Sequence, residues 1–281
     1  MLLRTAFLGL LTLLVPVDLL AAETAPSPIR QVGNWLLTET ENFSICSTRD
    51  MDPVELGKQC EALRNELSRT LSGESLAKRW APKCYVVCHP TEAGYVREVG
   101  AGSQQTRGSS AVTIDRGRVT ARRIDLRSDR PDPLREALPH ELSHVVIAEL
   151  FADKPCPRWA EEGLAVLNDS ARKQGGHRRD LTHAWQRAAT FATPELLRLD
   201  DYPAGNRRAV FYGQSVSLVD FLVSRESAAV FVDFLRRAGE SDYDTALKGT
   251  YGISDVGELD RLWKAHFETS LTRVVTREAA R

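Results

Sequence analysis

The sequence predicts an α+β protein with a mixed sheet in its first half and a helical second half. Between residues 35 and 126, short β-type segments alternate with helical ones. From Pro133 onward, apolar residues recur at helical spacing, and Gly or Pro residues interrupt them. The 281 residues are 42% apolar and can bury a large core, so we expect one compact domain or two closely packed subdomains.

The N-terminus has the pattern of a secretory signal peptide over residues 1–22. A basic start precedes an apolar run over residues 5–17, and the small residues Ala21 and Ala22 follow. The run of about 13 residues is shorter than the roughly 20 residues that a membrane helix requires. We predict cleavage after Ala22 and export to the periplasm or the extracellular space, without stable membrane insertion. An uncleaved membrane anchor is the alternative.

Residues 23–132 are predicted to form an N-terminal α/β subdomain with a strand at the sheet edge. Residues 100–110 are rich in Gly, Ser and Gln and are predicted as a loop. The predicted elements are a hairpin of strands 35–40 and 43–46, a helix over 53–71, a strand over 84–88, a helix over 91–99, and strands over 111–115 and 118–126.

Residues 133–281 are predicted to form a helical subdomain. Breakers such as Pro155, the pair Gly175 and Gly176, and Pro203 separate its segments. The predicted helices cover residues 134–151, 158–169, 179–192, 209–224, 227–238, 243–250 and 255–272.

The charge balance excludes one class of partner. The chain has 37 basic and 38 acidic residues and a net charge of −1, so no field over the whole chain attracts a polyanion. We therefore expect no nucleic-acid partner.

The five cysteines are Cys46, Cys60, Cys84, Cys88 and Cys156. Export would expose them to oxidising conditions, although an odd number leaves at least one thiol unpaired. Within one strand, Cys84 and Cys88 are ~13 Å apart, beyond the ~7 Å limit for the Cα atoms of a disulfide. Cys46 with Cys60 is the first pair to test, and buried free thiols are the alternative.

The segment His140–His144 reads His-Glu-Leu-Ser-His inside a predicted helix. Histidines four residues apart share one helical face, so both imidazoles can bind one Zn²⁺ at ~2.0–2.1 Å. Glu141 then lies beside a water at the metal. The alternative is a surface helix with two unrelated histidines, but the apolar run Val145–Ile147 indicates a buried helix.

A third zinc ligand is expected from the next helix, where Pro157–Ala165 reads Pro-Arg-Trp-Ala-Glu-Glu-Gly-Leu-Ala. At roughly 100° per residue, Glu162 lies on the side of the apolar Trp159 and Val166. Glu161 lies on the opposite side. We therefore predict Glu162 as the ligand and Glu161 as a solvated residue.

Together the two segments resemble the gluzincin group of zinc metallopeptidases, most closely the bacterial peptidase-MA-like domains. Those domains pair a His-Glu-x-x-His helix with a Trp-x-x-Glu-Gly-x-Ala signature, and the order of predicted elements here is similar over most of the mature chain. The resemblance implies a zincin-like fold and one Zn²⁺ per chain, bound by His140, His144 and Glu162. It also implies Glu141 as the general base.

Some features depart from that pattern or leave it open. Pro139 directly precedes the motif, so the metal helix either begins there or is kinked. Some gluzincins orient a histidine with an acidic residue one turn after the glutamate ligand, where this chain has Val166. Asn168, Asp169 or another carboxylate would then serve. Gly163 is expected to let the two motif helices approach closely.

A peptidase also needs a hydrogen-bond donor for the oxyanion that forms during hydrolysis. The candidates are Tyr212, His177 and His183. Tyr212–Ser215 reads Tyr-Gly-Gln-Ser and resembles a Tyr-x-Gln-Ser element that follows the zinc motifs in the same group. We favour Tyr212, with a core tyrosine at a helix start as the alternative, and expect His177 to face solvent.

In gluzincins an edge strand before the metal helix aligns the substrate by strand addition, and residues 118–126 occupy that place in the predicted order. Arg122, Arg123 and Arg127 on this strand would favour acidic peptides. A solvated edge that resists aggregation is the alternative interpretation of these charges.

The function that the resemblance implies is that of an exported zinc-dependent metallopeptidase acting on a peptide or protein substrate. Two alternatives stay open. One is a catalytically silent protein that keeps the zincin fold for a binding or scaffold role. The other is a zinc hydrolase of a non-peptide amide, because the same metal and base cleave other acyl bonds.

Overall fold

The computed structural model describes residues 27–73 and 78–279 and is α+β, with one mixed sheet. The predicted signal peptide, residues 1–22, lies outside the described residues. Among the described helices, none has both the length and the apolar character that a membrane span requires. The six described strands are β1 (Arg30–Val32), β2 (Trp35–Glu39), β3 (Phe43–Ser47), β4 (Cys84–His89), β5 (Gly108–Asp115) and β6 (Arg118–Arg127).

Helices surround this sheet and form most of the second half of the described chain. A short 3₁₀ turn, Ser103–Gln105, precedes β5. The helices are α1 (Pro53–Ser72), α2 (Glu92–Val99), α3 (Pro133–Glu136), α4 (Leu138–Leu150), α5 (Arg158–Leu167), α6 (Ala171–Gln186), α7 (Thr193–Leu196), α8 (Arg207–Arg225), α9 (Ala228–Glu240), α10 (Tyr243–Tyr251) and α11 (Val256–Ala279).

The sheet has the strand order β1-β2-β3-β4-β6-β5. The predicted hairpin is confirmed, since β2 and β3 pair antiparallel around a tight turn. β3, β4 and β6 are parallel neighbours, and β5 pairs antiparallel with β6. The prediction that residues 118–126 form the edge is therefore wrong. The chain makes a tight turn at Arg116 and Gly117 and brings β6 inside, which leaves β5 as the edge strand.

The three arginines of β6 that the sequence analysis considered, Arg122, Arg123 and Arg127, are accordingly not a solvated edge. Arg122 is buried and forms an ion pair with Glu149 on α4. Arg123 binds Asp125 at 2.7 Å, and the buried Arg127 lies 2.6 Å from a carboxylate oxygen of Asp129. The charges of these side chains are offset inside the fold, so they do not form the predicted surface for acidic peptides.

The five cysteines are free thiols, so the predicted Cys46–Cys60 disulfide does not form. Side chains alternate along β3, and Ile45 faces α1, where it lies 3.6 Å from the position of a Cβ on Gly57. Cys46 therefore faces the opposite side of the sheet, where it lines a surface groove. Because Cys60 lies on α1, the sheet separates the two thiols.

Two predicted helix starts differ from the structure by several residues. The predicted helix 134–151 breaks at Ala137 (φ −133°, ψ −47°), so the metal-motif helix α4 begins just before Pro139, where a proline is tolerated. α6 begins at Ala171 instead of 179, because the Ser170 side chain caps the N-H of Lys173 and the two glycines expected to break the chain lie within the helix.

Gly163 does allow a close helix contact, but with a different helix from the one expected. A Cβ on Gly163 would lie 2.4 Å from Val219 Cγ2 and 2.9 Å from the Ser215 carbonyl oxygen, both on α8. The prediction that Gly163 mediates the approach of α5 to α4 is therefore wrong. The glycine instead brings α5 against α8, which fixes the rotation of α5 about its axis.

We predict that Gly163→Ala lowers the free energy of unfolding by about 1–3 kcal/mol, because the added methyl overpacks the contact with Val219. Urea denaturation of the folded chain measures this change. Gly249→Ala is the matched control, since it lies in α10 with open space around it and should raise stability by about 0.5–1 kcal/mol. Equal stability of wild type and Gly163→Ala would contradict the packing argument.

Candidate metal centre

Two histidines of α4 point their ring nitrogens at one another. His140 and His144 are one helical turn apart, and their Nε2 atoms are 3.2 Å apart. The buried run from Val145 to Ile147 anchors the same helix in the core. The helix therefore presents both imidazoles to one point, as the i, i+4 spacing predicts.

Glu162 of α5 completes a three-point cluster with these histidines. Its Oε2 lies 3.7 Å from His140 Nε2 and 3.8 Å from His144 Nε2. Four tetrahedral ligands at ~2.0–2.1 Å from zinc lie about 3.4 Å from one another, close to the distances here. The Glu162 side chain is 1% exposed, and its Oε2 has no hydrogen-bond partner among the described residues.

These observations fit a bound metal cation. A buried carboxylate oxygen without a donor is unfavourable unless a cation offsets its charge. Two imidazoles and a carboxylate are also a usual donor set for catalytic zinc, which keeps a fourth position open. The residues His140, His144 and Glu162 could therefore hold a metal ion.

A carboxylate stands behind each histidine. Glu161 Oε1 is 2.9 Å from Nδ1 of His144, and Asp169 Oδ2 is 3.2 Å from Nδ1 of His140 in a charge contact without hydrogen-bond alignment. Such partners orient a histidine so that its other nitrogen faces the metal. The prediction that Glu161 is solvated is wrong, because α4 packs beside α5 and covers that side of the helix.

Asn168 and Asp169 were the named candidates for orienting a histidine in place of an acidic residue at Val166. Of these two, Asp169 contacts a histidine. It follows the end of α5 and also binds Lys173 at 3.0 Å. Asn168 instead donates to Ser143 Oγ at 3.1 Å and to the Leu164 carbonyl at 3.0 Å. The outer carboxylate on His140 thus comes from the turn that follows α5.

The field at the centre favours a cation. Burial lowers the pKa of His144, but the hydrogen bond that its Nδ1 donates to Glu161 and the charges of Glu162, Glu161 and Glu141 outweigh the effect of burial and raise the pKa to about 9. Carboxylates that stabilise a proton on the imidazole also stabilise a metal ion beside it. A metal must therefore displace that proton when it binds.

Glu141 lies next to the cluster and is held by the edge strand. Ser110 Oγ of β5 donates a hydrogen bond to Glu141 Oε2 at 2.9 Å. A Cβ on Gly108 would come within 2.8 Å of Glu141 Cγ, so only glycine fits at that position. Neither contact was predicted, because both depend on how β5 is placed against α4.

Two tyrosines, Tyr202 and Tyr212, line another side of the candidate metal centre. The hydroxyl of Tyr202 donates a hydrogen bond to Glu162 Oε1, and its ring centroid is 6.0 Å from that of Tyr212. Burial raises the pKa of Tyr212 to about 12, so this hydroxyl keeps its proton at neutral pH. Tyr202 was not predicted, because it lies on the irregular segment before α8, outside any motif.

The two histidines that compete with Tyr212 as oxyanion donors occupy different environments. His177 is half-buried, with its ring 5.5 Å from that of Tyr212, so the expectation that it faces solvent is wrong. A Cβ on Gly213 would lie 2.6 Å from the His177 carbonyl, which shows how closely α6 and α8 pack. His183 is exposed.

The cluster lies in a surface cleft of about 560 Å³. The edge strand β5 forms one wall from Gly108 to Ile114, and Tyr202 and Tyr212 line another part. The outer side of β5 has no strand partner among the described residues. The candidate metal centre is therefore open to a molecule lying along that edge.

The comparisons with known proteins give no relative. The models of known protein families include no match for this chain, and neither do the curated proteins. A function is therefore proposed from the chemistry and geometry of the site.

We predict about one zinc per purified chain, as three protein ligands and an open position require. His144→Ala and Glu162→Ala should each lose the metal, as measured by elemental analysis after dialysis. His183→Ala is the matched control, because this histidine is exposed and does not line the cleft, so its loss should leave the zinc content unchanged. Metal retained in both ligand variants would contradict the assignment.

We predict that Glu161→Gln raises the zinc dissociation constant by about 10- to 100-fold, because the His144 ring loses its charged partner. Competition with a chromophoric chelator measures the constant. Glu240→Gln, at an exposed position on α9, should have no effect. Unchanged affinity in Glu161→Gln would mean that this carboxylate does not act on the metal site.

Proposed function

We propose that this chain is a zinc-dependent metallopeptidase. The observation that carries the proposal is the convergence of His140, His144 and Glu162 beside Glu141, in a cleft walled by an open strand edge. Zinc is the expected ion for this donor set, and when bound it would act as a Lewis acid on a carbonyl and make water more acidic. The resemblance of the two motifs to gluzincins supports the same proposal.

Glu141 is the general base of the proposed reaction. Ser110 holds its Oε2, which leaves Oε1 to take a proton from the water that attacks the amide carbonyl carbon. As the carbon–nitrogen bond breaks, Glu141 returns that proton to the leaving nitrogen. The glutamate is thus ionised at the start and again at the end of the cycle.

Tyr212 is the proposed donor to the oxyanion. The Tyr202 hydroxyl is already committed to Glu162 Oε1, and Tyr212 beside it lines the cleft with a hydroxyl that keeps its proton. A hydrogen bond to the developing negative charge stabilises the transition state more than the substrate. Tyr202 is a positioning residue, because it acts through Glu162.

The edge strand β5 is the proposed guide for the substrate. An extended peptide can pair with the open side of β5 through main-chain hydrogen bonds, which are independent of sequence. Ser110 and Gly108 of the same strand contact Glu141, so a peptide on this edge lies close to the base. This arrangement favours a peptide over a small non-peptide amide.

Export of the mature chain, with cleavage after Ala22, remains part of the proposal. The substrate would then be a peptide or protein of the periplasm or the extracellular space. Analysis of the N-terminal residue of the protein recovered from its host tests this part independently of the chemistry.

We predict that Glu141→Gln lowers kcat by at least about 100-fold with zinc content unchanged, because proton transfer is lost while the ligands remain. Hydrolysis of a mixed library of internally quenched peptides, with zinc measured on the same samples, checks this. Glu268→Gln, at an exposed position of α11, should keep wild-type activity.

Two other outcomes would separate the alternatives. Zinc-loaded wild type that cleaves no peptide, together with Glu141→Gln of the same metal content, would favour the catalytically silent scaffold. Cleavage of small amides but not of peptides would favour the hydrolase of a non-peptide amide.

A further inference from the structure

Two arginines lie over the ring of Tyr202, which lines the cleft of the candidate centre together with Arg158. The guanidinium carbon of Arg158 lies 5.2 Å from the ring centroid, and that of Arg208 lies 5.0 Å from it. The hydroxyl of the same ring contacts Glu162. Both cations are therefore held beside the metal ligands by a single aromatic side chain.

The charges of these two arginines are unequally offset. Arg158 Nη1 donates to Glu161 Oε2 at 2.9 Å, but its Nε has no hydrogen-bond partner among the described residues. Within the described part of the chain, Arg208 is in no ion pair and no side-chain hydrogen bond. Asp201 is the neighbouring acid, and its Oδ1 accepts the N-H of Tyr202 at 2.7 Å without pairing with either arginine.

Most other charged groups near the centre have counter-charges. The carboxylates Glu141 and Glu162 would offset the two positive charges of a bound Zn²⁺. Asp169 pairs with Lys173, and Arg122, Arg123 and Arg127 of β6 pair with carboxylates. Arg208, over the ring of Tyr202, lacks such an ion pair within the described residues.

We propose that the cleft selects peptides that carry a carboxylate close to the scissile bond, with the exposed guanidinium of Arg208 binding it and Arg158 adding positive charge beside it. An extended residue spans ~3.3 Å, so a side chain one to three residues from the bond reaches the mouth of the cleft. A guanidinium binds a carboxylate through directed, charge-assisted hydrogen bonds. This specificity rests on the proposed peptidase function and names its substrate class.

The test uses the zinc-loaded full-length mature protein and internally quenched peptides of otherwise neutral sequence. Each peptide carries Glu, Gln or Lys at one of three positions on either side of the cleaved bond. We expect kcat/KM to be about tenfold higher for Glu than for Gln in at least one position, and lowest for Lys. The preference should shrink as salt is raised, because screening weakens an exposed ion pair.

Arg208→Gln should reduce the preference for Glu over Gln to about one- to threefold while the neutral peptide is cleaved as before. Arg207→Gln is the matched control. Arg207 is the neighbour of Arg208 in the chain, but its guanidinium binds Glu195 at 2.9 Å and lies over Phe191 instead of Tyr202. This variant should keep the wild-type preference. Both arginines are exposed.

The outcomes separate the two proposals. Equal cleavage of the Glu and Gln peptides by the wild type, or a Glu preference that survives in Arg208→Gln, overturns the specificity alone. Absence of zinc-dependent cleavage for every peptide overturns the peptidase function, and the specificity with it.

Discussion

The buried carboxylate of Glu162 is the constraint on which the rest of the site depends. Its charge is removed from water, and one oxygen faces only the two imidazoles of α4. Tyr202 satisfies the other oxygen. A cation between the carboxylate and the imidazoles resolves the unfavourable burial, and without one the histidines must bind protons instead. The close contact of Gly163 with α8 supports this arrangement, because it holds α5 in the rotation that aims Glu162 inward.

Part of this site follows from local sequence. Spacing along one helix places His140 and His144 on the same face, and helical phase relative to Trp159 separates Glu162 from Glu161. Helical phase alone, however, predicts exposure for an isolated helix that packs on one side only, so that the side away from the core faces solvent. The structure packs α4 beside α5 as well, so Glu161 on that side binds His144 instead of water. Its environment is set by a neighbouring helix that no local pattern describes.

The difference between local sequence pattern and tertiary packing also explains which features of the sheet were predicted. Five of the six described strands were predicted to within a few residues, and β1 was not predicted. The order of the strands depends on pairings between distant segments. β6 is internal because it pairs with β4 on one side and with β5 on the other, and its arginines then need carboxylate partners such as Asp125 and Asp129. A run of charges on a strand indicates an exposed edge only when the order of the strands is known. Tyr202 and Ser110 likewise reach the site through tertiary packing.

The coupling between β5 and α4 links substrate alignment to catalysis in the proposed function. One side of β5 is open to a peptide, while Ser110 and Gly108 of the same strand fix the position of Glu141. A peptide that adds to this edge takes its register from the backbone that also fixes the base. The same strand then positions both Glu141 and the scissile bond. This limits misalignment between them, and small displacements of reacting groups reduce rates strongly. Strand addition would therefore contribute to the rate as well as to binding.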